Sequence, residues 1–260
     1  MTELPAAGEL TRVTSRASLL LAPNPGPMTL DGTNTWLLRE PGSSEVVVVD
    51  PGPDDIAHLD AIVVAAESSD ARIAAIVLTH DHPDHVAGVS QLSSRVGVPV
   101  QSWRDGSLRS GRQTIGGVEL DVLATPGHTS DSMSFVLVAD DAVMTGDTVL
   151  GRGSTVVAYP DGNLQQYLDS LDAVRRLVDR GVATVLPGHG PVVVDAADAV
   201  DAYITHRQMR LDQIREAQAA GATTVDEIIA LVYPDVPDVI KFAAAASVMA
   251  QLEYLDTKTQ

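Results

Sequence analysis

The sequence predicts an α/β fold closed by a small helical domain, and three observations carry that prediction. Short apolar runs alternate with polar, helix-period stretches through the first two-thirds of the chain. The run Val46-Val47-Val48-Val49 leads directly into Asp50-Pro51-Gly52, the pattern of a buried strand that ends in a sharp turn. From Asp195 onward the pattern turns continuously helical. The expected division is a first domain over residues 1–200 and a helical domain over 201–260.

The elements follow in order. Residues 54–66 read as a helix, 73–78 as the next strand and 85–95 as a second helix. Residues 118–123 read as a strand, 135–138 and 142–144 as a hairpin, and 182–186 as a further strand. In the last domain, Thr224-Val225-Asp226-Glu227 is a capping box that opens a helix reaching Tyr233. Pro234 and Pro237 break it, and residues 239–255 form a final helix with an alanine-rich face. No internal repeat and no low-complexity linker interrupts this order.

Composition narrows the function classes. The chain has 260 residues, 45% hydrophobic, but only 3% aromatic, so valine and alanine must fill much of the core. Its net charge of −18 leaves no broad basic face for holding long nucleic acid by phosphate neutralisation. Cysteine is absent, which excludes disulfides and thiolate ligands and leaves His, Asp and water as the metal-binding set. The early apolar run at 17–22 is too short for a signal segment or a membrane span. With Met1 in place, the expectation is a cytoplasmic protein without a membrane partner.

Five of the seven histidines sit at three points. They are Thr79-His80-Asp81-His82-Pro83-Asp84-His85, Thr125-Pro126-Gly127-His128-Thr129 and Pro187-Gly188-His189-Gly190, with Thr145-Gly146-Asp147-Thr148 between the last two. Every one of these points follows the end of an expected strand, where a rigid sheet holds its chemistry on loops. The spacing H-x-H-x-D-H fits neither the two-residue period of a strand nor the period of a helix, so an irregular loop must aim the side chains at adjacent centres. Imidazoles and carboxylates in this number suffice for two divalent ions that share a bridging carboxylate, and zinc suits a histidine-rich, thiol-free set. Asp84 is expected both to bind metal and to orient the attacking water, with the following helix offering its N-terminal amides to the carboxylate. Asp81 reads as a neighbour supporting the ligands. His58 and His206 stand alone and read as ordinary surface or hydrogen-bonded core histidines.

Taken together, H-x-H-x-D-H, G-H-T, G-D-T and P-G-H-G in this order resemble the metallo-β-lactamase superfamily over residues 1–194. The resemblance implies an αββα sandwich and a binuclear zinc hydrolase that works by attack of a hydroxide held between the metals. It assigns His80, His82 and His128 to one ion and Asp84, His85 and His189 to the other, with Asp147 bridging. The segment Asn24-Pro25-Gly26-Pro27-Met28-Thr29-Leu30-Asp31-Gly32-Thr33-Asn34-Thr35 is similar to the leading segment of the group containing β-lactamase-like protein 2, a group of endoribonucleases. Gly146 to Gly151 and the tail beginning His206-Arg207-Gln208 are similar to that group too. Its members end in a winged helix; here five residues follow Leu255, too few for the wing hairpin.

The resemblance therefore implies single-stranded RNA as substrate, cleaved as a phosphodiester. Trp103-Arg104 with Arg109 and Arg112 offers stacking plus guanidinium for such a strand. Arg152, Ser154 and Asn34 are the expected substrate contacts. A small ester or thioester is the alternative substrate, as in glyoxalase II-like hydrolases, because a thiolate leaves without a general acid. A metal-stabilised interaction protein, its tail helices docking a partner or a second copy, is the non-enzymatic alternative.

Overall fold

The computed structural model describes residues 4–68 and 70–259. One sheet has six strands in the order β1 (Leu10–Arg12), β2 (Ala17–Leu21), β3 (Asn34–Leu38), β4 (Glu45–Val49), β5 (Arg72–Val77) and β6 (Val100–Gln101). The second has five, in the order β11 (Thr184–Pro187), β10 (Ala142–Gly146), β9 (Met133–Leu137), β8 (Val118–Ala124) and β7 (Gly111–Ile115). Pairing is antiparallel except for β4 with β5, β5 with β6, and β10 with β11.

The valine run explains the layering. Val47 and Val49 point inward, into a core shared with Phe135, Leu137, Met144 and Leu186 of the other sheet. Val46 and Val48 point outward against Leu59 and Ile62 of helix α1 (Ile56–Glu67). A strand covered on both faces can be apolar at every position, because alternate side chains enter different cores. The second sheet repeats the arrangement: Val136, Val143 and Val185 face outward onto Tyr167, Leu171 and Val174 of helix α4 (Leu164–Val178). The layers are therefore helix, sheet, sheet, helix, the αββα sandwich that the motif resemblance implies.

Two elements differ from expectation. The helix expected over 85–95 is two pieces, α2 (Pro83–Val86) and α3 (Val89–Val96), with the break at Ala87-Gly88. A Cβ at Gly88 would lie 2.8 Å from the Pro53 carbonyl oxygen and from Leu59, so the chain passes here only without a side chain. The boundary expected between residues 200 and 201 falls inside one continuous helix, α5 (Ala196–Ala219). Its first half packs on α4 through Ala196, Val200 and Tyr203. Its second half, through Ile214 and Ala217, builds a separate small core with α6 (Val225–Val232) and α7 (Lys241–Thr259). The capping box at Thr224 and Glu227 opens α6 as expected. No strand follows β11 among the described residues, so α5–α7 form a helical unit without a wing. No helix among the described residues is long and apolar enough to cross a membrane.

Candidate metal centre

All four expected loops converge. His80, His82, Asp84 and His85 follow β5, His128 follows β8, Asp147 follows β10 and His189 follows β11. The parallel pairing of β10 with β11 sets Asp147 beside His189, with Gly188 N–H donating to the Gly146 carbonyl at 2.8 Å. Gly188 is required by space: a Cβ there would stand 2.5 Å from Asp147 Oδ1 and 2.9 Å from His85 Cε1.

The side chains form overlapping groups of potential ligand atoms: His80, His82 and His128; His80, His85 and Asp147; and Asp84, His85 and His189. His82 Nδ1 lies 3.1 Å from His80 Nε2 and 3.0 Å from His128 Nε2. His85 Nε2 and His189 Nε2 are 3.2 Å apart, and Asp84 Oδ2 is 3.0 Å from His189 Nε2. Donors on a tetrahedral ion at about 2.0–2.1 Å lie about 3.3 Å from one another, so these separations suit a shared ion. Asp147 stands between the groups, its Oδ1 3.5 Å from His85 Nε2 and its Oδ2 3.7 Å from His128 Nε2 and 3.4 Å from His189 Nε2. Asp147 Oδ1 is buried without a hydrogen-bond partner, the state of an acceptor that a cation would satisfy.

The far side of each ring supports the same reading. His85 Nδ1 donates to Asp50 Oδ2 at 2.9 Å, His128 Nδ1 to the Val156 carbonyl at 2.6 Å, and His189 Nδ1 to the Gly32 carbonyl at 3.0 Å. His80 Nδ1 faces the Thr79 hydroxyl at 3.0 Å, and that hydroxyl donates onward to Asp50 Oδ2 at 2.6 Å. With Nδ1 held as the donor, Nε2 is the nitrogen left to face a metal, and in all four rings Nε2 is the atom turned into the cluster.

Asp50 is the functional residue that the sequence reading misses. Its side chain is buried and also accepts from Thr79 N–H at 2.8 Å, tying β4, β5 and His85 together. It adopts φ +51°, a left-handed conformation that Asp tolerates better than most residues. The available signal was a lone carboxylate closing an all-valine strand. Asp81 does not take that supporting role: it is exposed and pairs with Arg104 at 3.1 Å. His58 is a buried core histidine, bonded to Thr35 Oγ1 at 3.0 Å and pushed down to about 4 by burial.

Electrostatics divides the rings. Burial holds His80 well below its ordinary value and His128 down to about 4, so both stay neutral. At His189 burial is outweighed by Asp147, which raises the ring to about 9, and His85 is raised in the same way. Burial alone would raise the Asp147 carboxyl, but His189 and His85 hold it well below the carboxylate range.

The expected substrate residues separate. Arg152 and Ser154 line a pocket of about 290 Å³ that also exposes His128 and Asp147. Asn34 does not face it. Fully buried, it donates from Nδ2 to the Pro187 and Gly190 carbonyls at 2.9 Å each and so clamps the His189 loop. Thr33 Oγ1 donates to the Asp84 carbonyl at 3.0 Å. The segment at 24–35 thus braces the centre from behind. Trp103 is 40% exposed next to His80, while Arg104 is paired with Asp81 and Asp131, and Arg112 with Glu119 and Asp121.

This fold with this His/Asp cluster defines a hydrolase scaffold built for divalent metal. The sequence profile described as the metallo-beta-lactamase superfamily matches residues 28–102 and 108–189, and the chain belongs to that superfamily. It is 30% identical to the Beta-lactamase-like protein 2 homolog of Caenorhabditis elegans, over 95% of this chain and 86% of that one. It is 32% identical to an atrochrysone carboxyl ACP thioesterase of Aspergillus chevalieri, over 96% of this chain and 83% of the relative. A beta-lactamase domain protein from Burkholderia ambifaria shares the fold at TM-score 0.85 and 23% identity, covering 99% of this chain and 90% of that one.

Proposed function

We propose that the protein is a binuclear, zinc-dependent hydrolase of acyl thioesters. His80, His82 and His128 would hold one ion and Asp84, His85 and His189 the other, with Asp147 between them, an assignment supported by the grouping of the ligand atoms. Divalent metal bound there would make water nucleophilic near neutral pH and offset charge that develops on the substrate oxygen. Asp84 is the carboxylate best placed to hold the attacking water and take its proton, since its side chain is 27% exposed against 11% for Asp147. Water oxygen bonds to the carbonyl carbon, the carbon–sulfur bond breaks, and the thiolate departs with the electron pair, needing no proton.

One observation carries the choice of substrate. The pocket that exposes His128 and Asp147 is walled by Met28 and Leu30 of the bracing segment and by Val236, Ile240 and Ala243 of the helical unit. A pocket of about 290 Å³ with this apolar wall can take an acyl chain. The likeness to an ACP thioesterase supports the same class. The RNA reading drawn from the motif resemblance has less support from the surface: two of its three loop arginines are already held by acids, and the chain carries −18.

The test is a parallel screen of zinc-loaded protein on a short acyl thioester, single-stranded RNA, an aryl phosphodiester and nitrocefin. Thioester turnover that chelator abolishes and zinc restores is expected. RNA cleavage without thioester turnover would transfer the protein to the nucleases, and turnover of neither would remove both readings.

A further inference from the structure

Two arginines of the helical unit face the same pocket, and among the described residues neither has an acidic partner. Arg207 is 2% exposed, and its Nε is buried without a hydrogen-bond partner. Its Nη2 donates to the Thr155 carbonyl, and its guanidinium lies 4.8 Å from the Tyr167 ring centroid. One turn on, Arg210 lies 4.4 Å over the Tyr233 ring and donates to the Val232 carbonyl at 3.0 Å, to Gln213 Oε1 at 2.9 Å and to His206 Nε2 at 3.3 Å. His206, Arg207 and Arg210 all line the pocket.

Carboxylates are the more common partner elsewhere in the chain. The chain has 35 Asp and Glu against 17 Lys and Arg, and eight other arginines are held by carboxylates: Arg16, Arg72, Arg95, Arg104, Arg112, Arg152, Arg175 and Arg215. Among the described residues no carboxylate lies within ion-pair distance of Arg207 or Arg210. A cation withdrawn from water without an anion is unfavourable, so a guanidinium kept this way beside a reaction site is explained best by an anion that arrives with the ligand.

Resting on the thioesterase reading, we propose that Arg207 and Arg210 form an anion-recognition site for a carboxylate or phosphate group carried by the substrate. The planar guanidinium matches either group with paired N–H bonds. The anion has two possible sources, a free carboxylate on the acyl chain or a phosphate on the thiol. The Thr155 hydroxyl donates to the Asp147 carbonyl at 2.6 Å, so the loop that Arg207 grips is the loop that carries Asp147. Recognition of the anion is thereby set in register with the candidate metal centre.

Matched substrates test this. S-glutaryl and S-pentanoyl N-acetylcysteamine differ in the acyl carboxylate, and pentanoyl thioesters of pantetheine and phosphopantetheine differ in the thiol phosphate. The anionic member of one pair should have the higher kcat/KM by about tenfold or more, the scale of one charge-assisted hydrogen bond. In Arg210→Gln and Arg207→Lys that ratio should fall towards one; the pair that responds identifies the source. A purely structural arginine would lower both members of a pair together and preserve the ratio, which would overturn the proposal. Calorimetric titration of zinc-loaded protein with glutarate and with inorganic phosphate reads the site even if no thioester is turned over. Weaker binding of one of them by Arg210→Gln, at equal zinc content, is expected. No binding to the wild type, or equal binding by the variant, would refute the site while leaving the thioesterase reading to its own screen.

Discussion

Replacing Asp50 with Asn changes one atom behind the candidate metal centre and should be felt inside it. Asp50 Oδ2 accepts from His85 Nδ1 at 2.9 Å and from the Thr79 hydroxyl at 2.6 Å, while Oδ1 accepts from Thr79 N–H at 2.8 Å. An amide retains one acceptor. If that oxygen stays on Thr79 N–H, the new NH2 faces His85 Nδ1–H, donor against donor. A metal on Nε2, the atom 3.2 Å from His189 Nε2 and 3.5 Å from Asp147 Oδ1, requires the ring to keep its remaining proton on Nδ1, so the donor-against-donor clash persists in the metal-bound state. Loss of such a supporting carboxylate typically weakens metal affinity about 10–100-fold, or about 1.4–2.7 kcal/mol. The fold should survive, because the shape is unchanged and loss of a hydrogen bond costs about 1 kcal/mol, roughly 2–4 °C in Tm at this size. Chelator competition titrations beside thermal melts of the metal-free protein read the two effects separately. Wild-type zinc affinity in Asp50→Asn would refute the tautomer argument; collapse of the fold would show that Asp50 is mainly a structural tie.

Three other outcomes follow from the same geometry. At His85 and His189 burial opposes charge but Asp147 prevails and raises both rings, His189 to about 9; at pH 7.5 zinc uptake should therefore release protons, and zinc affinity should decline as pH falls. A pH-stat trace with no proton release would contradict this. Gly188→Ala sets a methyl 2.5 Å from Asp147 Oδ1 and should lower zinc content while the thermal melt stays cooperative; full zinc occupancy would mean the loop can shift aside. Asp84→Asn should retain the ion of His80, His82 and His128 yet lose about 100-fold or more in kcat, if the carboxylate takes the proton of the attacking water. Turnover near wild type in the zinc-loaded variant would remove that role.

The candidate site was legible wherever chemistry restricts residue type. Five histidines and two aspartates at strand ends lie in an order that little else would maintain, and the fold brings all seven together. The valine run was legible as a strand because both its faces are buried. Helix α4 follows the 3.6-residue period through Leu164, Tyr167, Leu171 and Val174, a signal the sequence itself carries. Asp50 is different in kind. Its role arises from a contact with His85, 35 positions away, and nothing local in Asp50-Pro51-Gly52 distinguishes that role from a plain turn. Short edge strands such as β1 and β6 are fixed by their partners rather than by their own two or three residues. Arg207 reads as one charge on a polar helix until the fold buries it beside Thr155 and Tyr167.

The central claim is a two-ion centre joined by Asp147, and elemental analysis of the zinc-reconstituted protein, run beside Asp147→Ala and His189→Ala, tests it most directly. The geometry predicts close to two zinc ions per chain in the wild type, because the groups His80, His82, His128 and Asp84, His85, His189 share no ligand and are linked by the overlapping group His80, His85 and Asp147. It predicts reduced occupancy of both ions in Asp147→Ala and of mainly one in His189→Ala. A wild-type content of one ion or only trace metal, or an Asp147→Ala protein that still holds both ions, would contradict it.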